Sequence, residues 1–544
     1  MNVDSAKFED VVAANQQRLR ANLQPRYDFI VCGSGSSGSV VARRMAENQD
    51  VSVLLIEAGG TDSTQAVEMA GAWPLNLGSE RDWGFKALPN PHLNGRAIPM
   101  SMGKVLGGGS SINVMIWARG HKSDWDYFAT EADDPAWSYK SVLGIYREIE
   151  DWRGKPDPAR RGKDGLLYVA PPADPNPVAT AMLSSAAEHG IPVFDDQNGV
   201  MMEGPGGASY MDLRIRDGRR QSIFRSYTFP LMDRLNLTVL TGTLVARVLI
   251  ERGAAVGVEC LLDGRSQRFH ASQEVILSLG AINTPKVLMQ SGIGDADTLA
   301  SLDIPVVQNL PGVGANFQDH IMVSSCVWEY PEPVAPHGNG GEVTVFTRSA
   351  PEMESPDIQL LQVQFPVVTP ELAARHTVPV GSWGMFPALL RPRSVGRLRL
   401  TGANHDDPIL IDSQILSDSA DLIALRRCVE LAREIGNASA LRRFVKREIM
   451  PTALAGPAMD DFIRDGVTTV WHQSCTAKMG RDRMAVVDAR LRVYGVDRLR
   501  IADASVMPRV PLGNTMAPSV IIGELASRAI AGERQLTSPS VAPL

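Results

Sequence analysis

The sequence predicts an α/β plus α+β protein. A discontinuous Rossmann-like nucleotide-binding domain is joined to a second domain built on an antiparallel sheet covered by helices. Three observations lead there. Tyr27 to Gly60 reads as strand, glycine turn, helix and strand. From Ile321 to about Val470 the pattern changes to short strands followed by a long helical run. From Leu499 the strand–turn–helix pattern returns.

With 544 residues the chain is too long for one core, so at least two domains are expected. Residues 1–26 form an N-terminal extension without the basic start and apolar core of a secretory signal. Phe8, Val11, Val12, Leu19 and Leu23 fall at roughly helical spacing, which predicts a short helix packed on the body or on a neighbouring subunit. Tyr27 to Cys32 is apolar and β-branched enough to be a buried parallel strand. Gly33-Ser34-Gly35-Ser36-Ser37-Gly38 follows at once. Gly33 permits the tight turn, Gly35 lets backbone approach a pyrophosphate, and Gly38 lets helix and strand pack closely. The next helix carries Val40, Val41 and Met45 as its apolar stripe, and its N-terminus offers unpaired N–H groups to phosphates. A second strand, Val51 to Ile56, ends in Glu57 and Ala58. Glu57 stands about 20 residues past Gly38, the offset at which an acid meets a ribose. An acid there favours an unphosphorylated adenosine ribose, hence NAD or FAD over NADP.

Met102 to Gly120 (MGKVLGGGSSINVMIWARG) reads as glycine-rich backbone pressed against a flat ligand ahead of a helix. Leu237 to Cys260 alternates apolar and polar residues, predicting antiparallel strands beside the cofactor domain. Val275-Ile276-Leu277 is strand-like; Gly280 breaks it, and Thr284-Pro285 is expected to open a helix ending at Gly292. Pro311 to His320 is a turn-rich connection. Ile358 to Val368 and Arg397 to Leu400 read as strands, and Ser419 to Ile435 as a long helix. At the end, Leu499 to Ala502 is a strand closed by Asp503; Asn514-Thr515 is expected to cap a helix with Pro518 in its first turn and Gly532 at its end. The expected division assigns 27–170, 213–320 and 471–544 to the cofactor domain, and 171–212 with 321–470 to the substrate domain.

The net charge of −7 argues against a nucleic-acid partner. Five scattered cysteines without a CxxC pair predict neither a disulfide framework nor a metal site, and point to the cytoplasm. No apolar run is long enough to cross a bilayer.

The chain resembles the glucose–methanol–choline (GMC) flavin oxidoreductases over nearly its whole length after about Pro25. The resemblance rests on five motifs in order: the Gly33-Gly35-Gly38…Glu57 fingerprint; Gly103 to Asn113 (GKVLGGGSSIN); Gly280 to Gly294 (GAINTPKVLMQSGIG); PGVGANFQDH; and the C-terminal pair WHQSCTAKMG and DASVMPRVPLGNTMAPSVIIGE. It implies FAD and the oxidation of an alcohol. His472 falls on the family's active-site histidine and Asn514 on its second catalytic position; Asp503 matches the acid near the FAD phosphates and ribityl chain. The resemblance extends the FAD-contacting set to Ser34, Ser36, Ser37, Ala58, Gly103, Leu106, Gly107, Gly108, Ser110, Asn113, Val114, Met115, Val245, Gly280, Ala504, Thr515 and Met516. Some members link FAD through a histidine where this chain has Ile112, so FAD is expected to be non-covalent. The usual HxxGTCRMG reads HQSCTAKMG, with Cys475 and Ala477 as departures.

Oxidising an alcohol requires loss of the hydroxyl proton and hydride transfer to flavin N5. A neutral histidine can take the proton, and a neutral amide can hold the oxygen as charge develops. His472 and Asn514 therefore read as base and partner, and the helix after Asn514 presents its positive end to the reduced flavin. Met115, Phe365, Val470 and Trp471 are expected in the substrate pocket, while His121, His320 and His405 read as structural. Val470 aligns with a small apolar position that in related oxidases borders the site where oxygen meets the flavin, which favours molecular oxygen as acceptor. The expected substrate is a small primary alcohol, with aromatic and furanic alcohols as named classes. A dye- or quinone-linked dehydrogenase of the choline type and a GMC-fold lyase are the alternatives.

Overall fold

Gly33 is the hinge of the nucleotide-binding half: the buried strand Arg26–Cys32 runs into it and the helix Ser36–Ala46 follows. This computed structural model describes residues 3–536. In space the first sheet runs 237–240, 53–56, 26–32, 265–277, 254–262, 243–251, with 499–501 also paired to 265–277. The central pairings are parallel, as expected of strands buried on both faces. The helix Met516–Arg534 packs on Ser36–Ala46 so closely that a Cβ on Gly523 would meet Ser37 O and Val40 Cβ at 2.8 Å. Ser37 Oγ donates to Ser519 O at 2.6 Å, and Arg44 pairs with buried Glu524 at 2.9 Å. The C-terminal segment thus closes the N-terminal unit.

The second sheet is antiparallel: 447–450, 326–329, 382–389, 358–363, 343–347, 207–210, with 321–323 bridging 382–389 to 467–469. The helix Ser419–Gly436 covers one face of it, resting on Ile358–Val363 and Ser382–Leu389. On the other face Leu361, Val363, Phe386, Met322 and Val470 form a separate apolar cluster with Ile116 and Met211. That face looks towards the first sheet, and the space between them is the candidate site.

Several local expectations are corrected. Leu237–Leu240 pairs in parallel with Val53–Ile56 as an edge of the first sheet; only 243–251 and 254–262 are antiparallel. All four residues of Leu237–Leu240 are buried, as in a parallel strand, so alternation does not describe this segment. Gly108–Ser111 forms only one 3₁₀ turn, and the helix comes later, at Lys122, behind a capping box on His121. The helix expected from Thr284 starts at Gly280 and ends at Gln290, with Pro285 inside it; the Ala281 carbonyl, which Pro285 has no N–H to reach, accepts from Thr476 Oγ1 at 2.6 Å instead. The C-terminal helix starts at Met516, with no side-chain cap from Thr515, and runs through Gly532 to Arg534. The strand expected over Ile358 to Val368 stops at Val363.

The N-terminal helix, Val3–Ala21, packs on the chain's own body. Phe8 meets Phe229 edge-on at 5.6 Å. The Gln16 amide donates to Leu237 O at 3.0 Å and accepts from Val239 N–H at 2.9 Å, replacing the strand neighbour that 237–240 lacks. Val11 is exposed. Among the described residues, no helix is long and apolar enough to cross a membrane, and no cluster of His, Cys, Asp or Glu could hold a metal.

Candidate functional site

The first glycine turn builds a cradle by forcing backbone against backbone. Gly33 has φ +98°, and a Cβ there would lie 2.2 Å from Ser278 O. A Cβ on Gly38 would lie 1.9 Å from Gly33 O, so helix and turn touch only because it is absent. Gly35 meets no protein atom within 4 Å on its Cβ side, while its Cα backs onto Gly108. Glu57 accepts from Ser34 N–H at 3.1 Å, Ser34 Oγ at 2.6 Å and Gly59 N–H at 2.9 Å. Burial raises its carboxyl pKa against those bonds. Asp503 accepts from Gly280 N–H at 2.9 Å, Thr284 Oγ1 at 2.5 Å, and Ser505 N–H at 2.9 Å, tying the last strand to the helix at Gly280.

The cavity runs from this cradle to His472. Its wall includes Gly33, Gly35, Ser36, Ser37, Glu57, Ala58, Gly103, Gly108, Ser110, Ile112, Asn113 and Val114. Gly280, Asp503, Ala504, Asn514, Thr515 and Met516 continue it on the C-terminal side. Two buried polar atoms on this wall, Ser278 Oγ and Asn514 Oδ1, have no protein partner. An open glycine edge, an unpaired helix start, a buried acid and orphaned polar atoms together fit a dinucleotide cofactor.

At the far end the two catalytic candidates meet. His472 Nε2 lies 3.2 Å from Asn514 Nδ2. Asn514 is free to do this because the following helix takes no side-chain cap from it. The His472 backbone is held by Asp319, whose Oδ1 accepts its N–H at 2.8 Å while Oδ2 accepts from Thr469 Oγ1. Trp471, at φ +60°, turns the chain so that its indole and the His472 ring both reach the cavity. Burial pushes the His472 imidazole down to about 3 and the Asp319 carboxyl up to about 7. The site thus presents an uncharged imidazole with an amide beside it.

Val470, Trp471 and Phe365 line the cavity as expected, but Met115 does not. Met115, at φ +61°, packs beside Ala70 and Trp73, and its neighbours Val114 and Ile116 take the wall. Ser34, Gly38, Leu106, Gly107 and Val245 also stand behind it. Ser34 Oγ accepts from Gly107 N–H at 3.1 Å, so these two brace the cradle. Leu106 O accepts from Ser111 Oγ at 2.6 Å, and Val245 is paired to Cys260 inside the sheet. Missed from sequence were Trp73, Met322, Leu361, Val363 and Phe386 on the wall. His320, read as structural, lies against the site: its Nδ1 is 2.9 Å from His472 Nδ1, the two rings edge to face. The motif PGVGANFQDH was the available signal for Asp319 and His320.

The N-terminal and C-terminal models of the GMC oxidoreductases match residues 27–322 and 392–523. The mitochondrial choline dehydrogenase of Mus musculus is 37% identical, covering 95% of this chain and 91% of that protein. An oxygen-dependent choline dehydrogenase of Brucella anthropi is 35% identical, covering 95% and 97%. Among solved structures, pyridoxine 4-oxidase from Mesorbium loti superposes with a TM-score of 0.88 at 31% identity, covering 92% of this chain and 98% of that one.

Proposed function

The chain belongs to the GMC oxidoreductase family, and we propose that it oxidises an uncharged primary alcohol, aromatic or furanic, to the aldehyde, with oxygen as electron acceptor. The observation that carries this is the His472–Asn514 pair opening into a chamber with no charged side chain. The cavity wall has two carboxylates, Glu57 and Asp503, both at the nucleotide end. Around the pair stand Trp73, Phe365, Phe386, Trp471, Met322 and Val363. Such a wall stabilises a flat apolar substrate by burial and offers a buried cation no counter-charge.

FAD, bound along the cradle, supplies the hydride acceptor. The substrate hydroxyl fits between His472 Nε2, which takes its proton, and Asn514 Nδ2, which donates to the oxygen as it gains charge. Burial keeps His472 uncharged and so able to accept. The apolar wall excludes water that would compete for either bond. Val470, 8% exposed beside His472, gives oxygen an apolar approach. In balance, one alcohol and one oxygen give one aldehyde and one hydrogen peroxide. Five free, buried cysteines support a cytoplasmic home.

The relatives named choline dehydrogenases favour a second reading, a cationic alcohol held by the aromatic rings. An anaerobic titration separates the two: benzyl alcohol and hydroxymethylfurfural should bleach the flavin band at concentrations where choline does not. Admitting air should restore the band with peroxide formed. Bleaching by choline alone would support the second reading, and recovery only with quinone or dye would make the enzyme a dehydrogenase.

A further inference from the structure

His472 can act as base only if its lone pair, and not its N–H, faces the substrate. A neutral imidazole carries one proton, and the bond made by the other nitrogen decides where it sits. His472 Nε2 faces Asn514 and the chamber, and its Nδ1 faces His320 Nδ1 at 2.9 Å. One proton can lie between the two Nδ1 atoms. If His320 owns it, His472 is left with its proton on Nε2, pointing at the substrate, and cannot accept. If His472 owns it, Nε2 is the lone pair.

We propose that His320 is the positioning residue that fixes His472 as the Nδ1–H tautomer, by accepting that proton at its own Nδ1. Asn514 sets the direction, because its Nδ2 faces His472 Nε2 at 3.2 Å. His320 is fully buried and lies outside the cavity wall. The backbone carbonyls of Leu390 and Pro511 stand beside its ring, and these oxygens only accept. His320 Nε2, the nitrogen turned away from His472, is buried with no hydrogen-bond partner, so Nδ1 is the nitrogen that bonds to His472. Burial, His472 and nearby Arg391 all disfavour a charged His320, so the ring stays neutral and keeps one lone pair. Asp319, one residue earlier, holds the His472 backbone, so a single dipeptide sets both its place and its tautomer. Asn514 Nδ2 agrees with this assignment, since an amide N–H needs a lone pair on His472 Nε2.

The inference rests on His472 being the base, and the test keeps the two separable. Nitrogen-15 histidine labelling of the resting FAD-loaded enzyme, read by long-range proton–nitrogen correlation, should show His472 protonated at Nδ1, with His472→Gln identifying its signals. His320→Leu should move His472 towards the Nε2–H form and slow flavin reduction by about 10- to 100-fold, as when a metal-ligating histidine loses the partner that orients it. The Kd for alcohol should change little. His320→Asn, whose Oδ1 can accept in place of Nδ1, should recover most of the rate and the Nδ1–H signal. A resting enzyme with His472 protonated on Nε2, or His320→Asn no better than His320→Leu, would overturn the proposal. If His472→Ala reduces flavin at the wild-type rate, the base assignment falls, whereas the tautomer spectrum answers for His320 by itself.

Discussion

At the scale of the residue, the proposed chemistry rests on two neutral groups acting on one oxygen. A positioned base contributes ~100- to 10,000-fold, so His472→Ala should keep fold and FAD while flavin reduction falls by about that factor. Asn514→Ala removes one bond to a developing charge, on the order of 2–4 kcal/mol, and the double variant should lose less than the sum. Rapid-mixing measurements without oxygen read all three; near wild-type reduction in His472→Ala would refute the mechanism. The pH dependence has a definite sign. With its imidazole pushed down to about 3, His472 stays an acceptor well below the ordinary histidine value, so reduction should hold steady through pH 6.5 and fall only in stronger acid. A midpoint near 6.5 would show that the buried environment does not govern this ring. For folding, the unfolded chain takes up the His472 proton first, so stability is lost as pH drops from 6.5 towards 3. Asp319 acts oppositely: its stabilising proton is held at low pH and lost as pH rises to about 7. That His472 and Asn514 both reach the cavity was legible in the sequence because motifs fix them along the chain. His320 lies within the motif PGVGANFQDH, yet its contact with His472 spans 152 positions and only folding creates it. Met115 failed for a local reason: its positive φ turns it out of the wall that Val114 and Ile116 occupy.

At the scale of the element, the first βαβ unit separates two jobs that one glycine motif performs. Gly38 serves packing, since its Cβ would overlap Gly33 O. Gly35 is left open to the cavity, since nothing in the protein approaches its Cβ side. Gly38→Ala should therefore destabilise even the FAD-free protein, by ~1–3 kcal/mol for a forced backbone shift. Gly35→Ala should leave FAD-free stability nearly unchanged and lower FAD content. Thermal unfolding before and after flavin removal, with FAD quantified, distinguishes them; equal destabilisation by both would contradict the division. Strand, turn and helix were readable here because each has a local cause. The helix at Gly280 was misplaced by four residues because its start is fixed by Asp503, far away in sequence, whose carboxylate takes the Gly280 N–H. The direction of Leu237–Leu240 was misread for the same kind of reason: a neighbouring strand sets it.

At the scale of the whole molecule, the cofactor cradle is assembled from separate stretches near residues 33, 57, 108, 280 and 503. Together they present open glycine backbone, the buried Glu57 and Asp503 carboxylates, and Ser278 Oγ, which the protein leaves unpartnered. A ligand that binds only the folded arrangement stabilises it by RT ln(1 + [L]/Kd), about 2.7 kcal/mol at one hundred times Kd. The midpoint of unfolding should therefore rise with added FAD, and the flavin-free protein should open first where these stretches meet. Hydrogen exchange should show this at the 103–113 and 503–516 segments. The same assembly decides the fate of the flavin on denaturation. Ile112, at the cavity wall between Ser111 and Asn113, has no nucleophilic atom with which to form a bond to it. All affinity then comes from contacts that exist only while the stretches are together. Acid or heat should scatter them and release intact FAD into the supernatant, one per chain. Yellow colour remaining with the precipitated polypeptide, or a flavin-bearing peptide after proteolysis, would show a covalent link through another residue and would contradict a cradle held by folding alone.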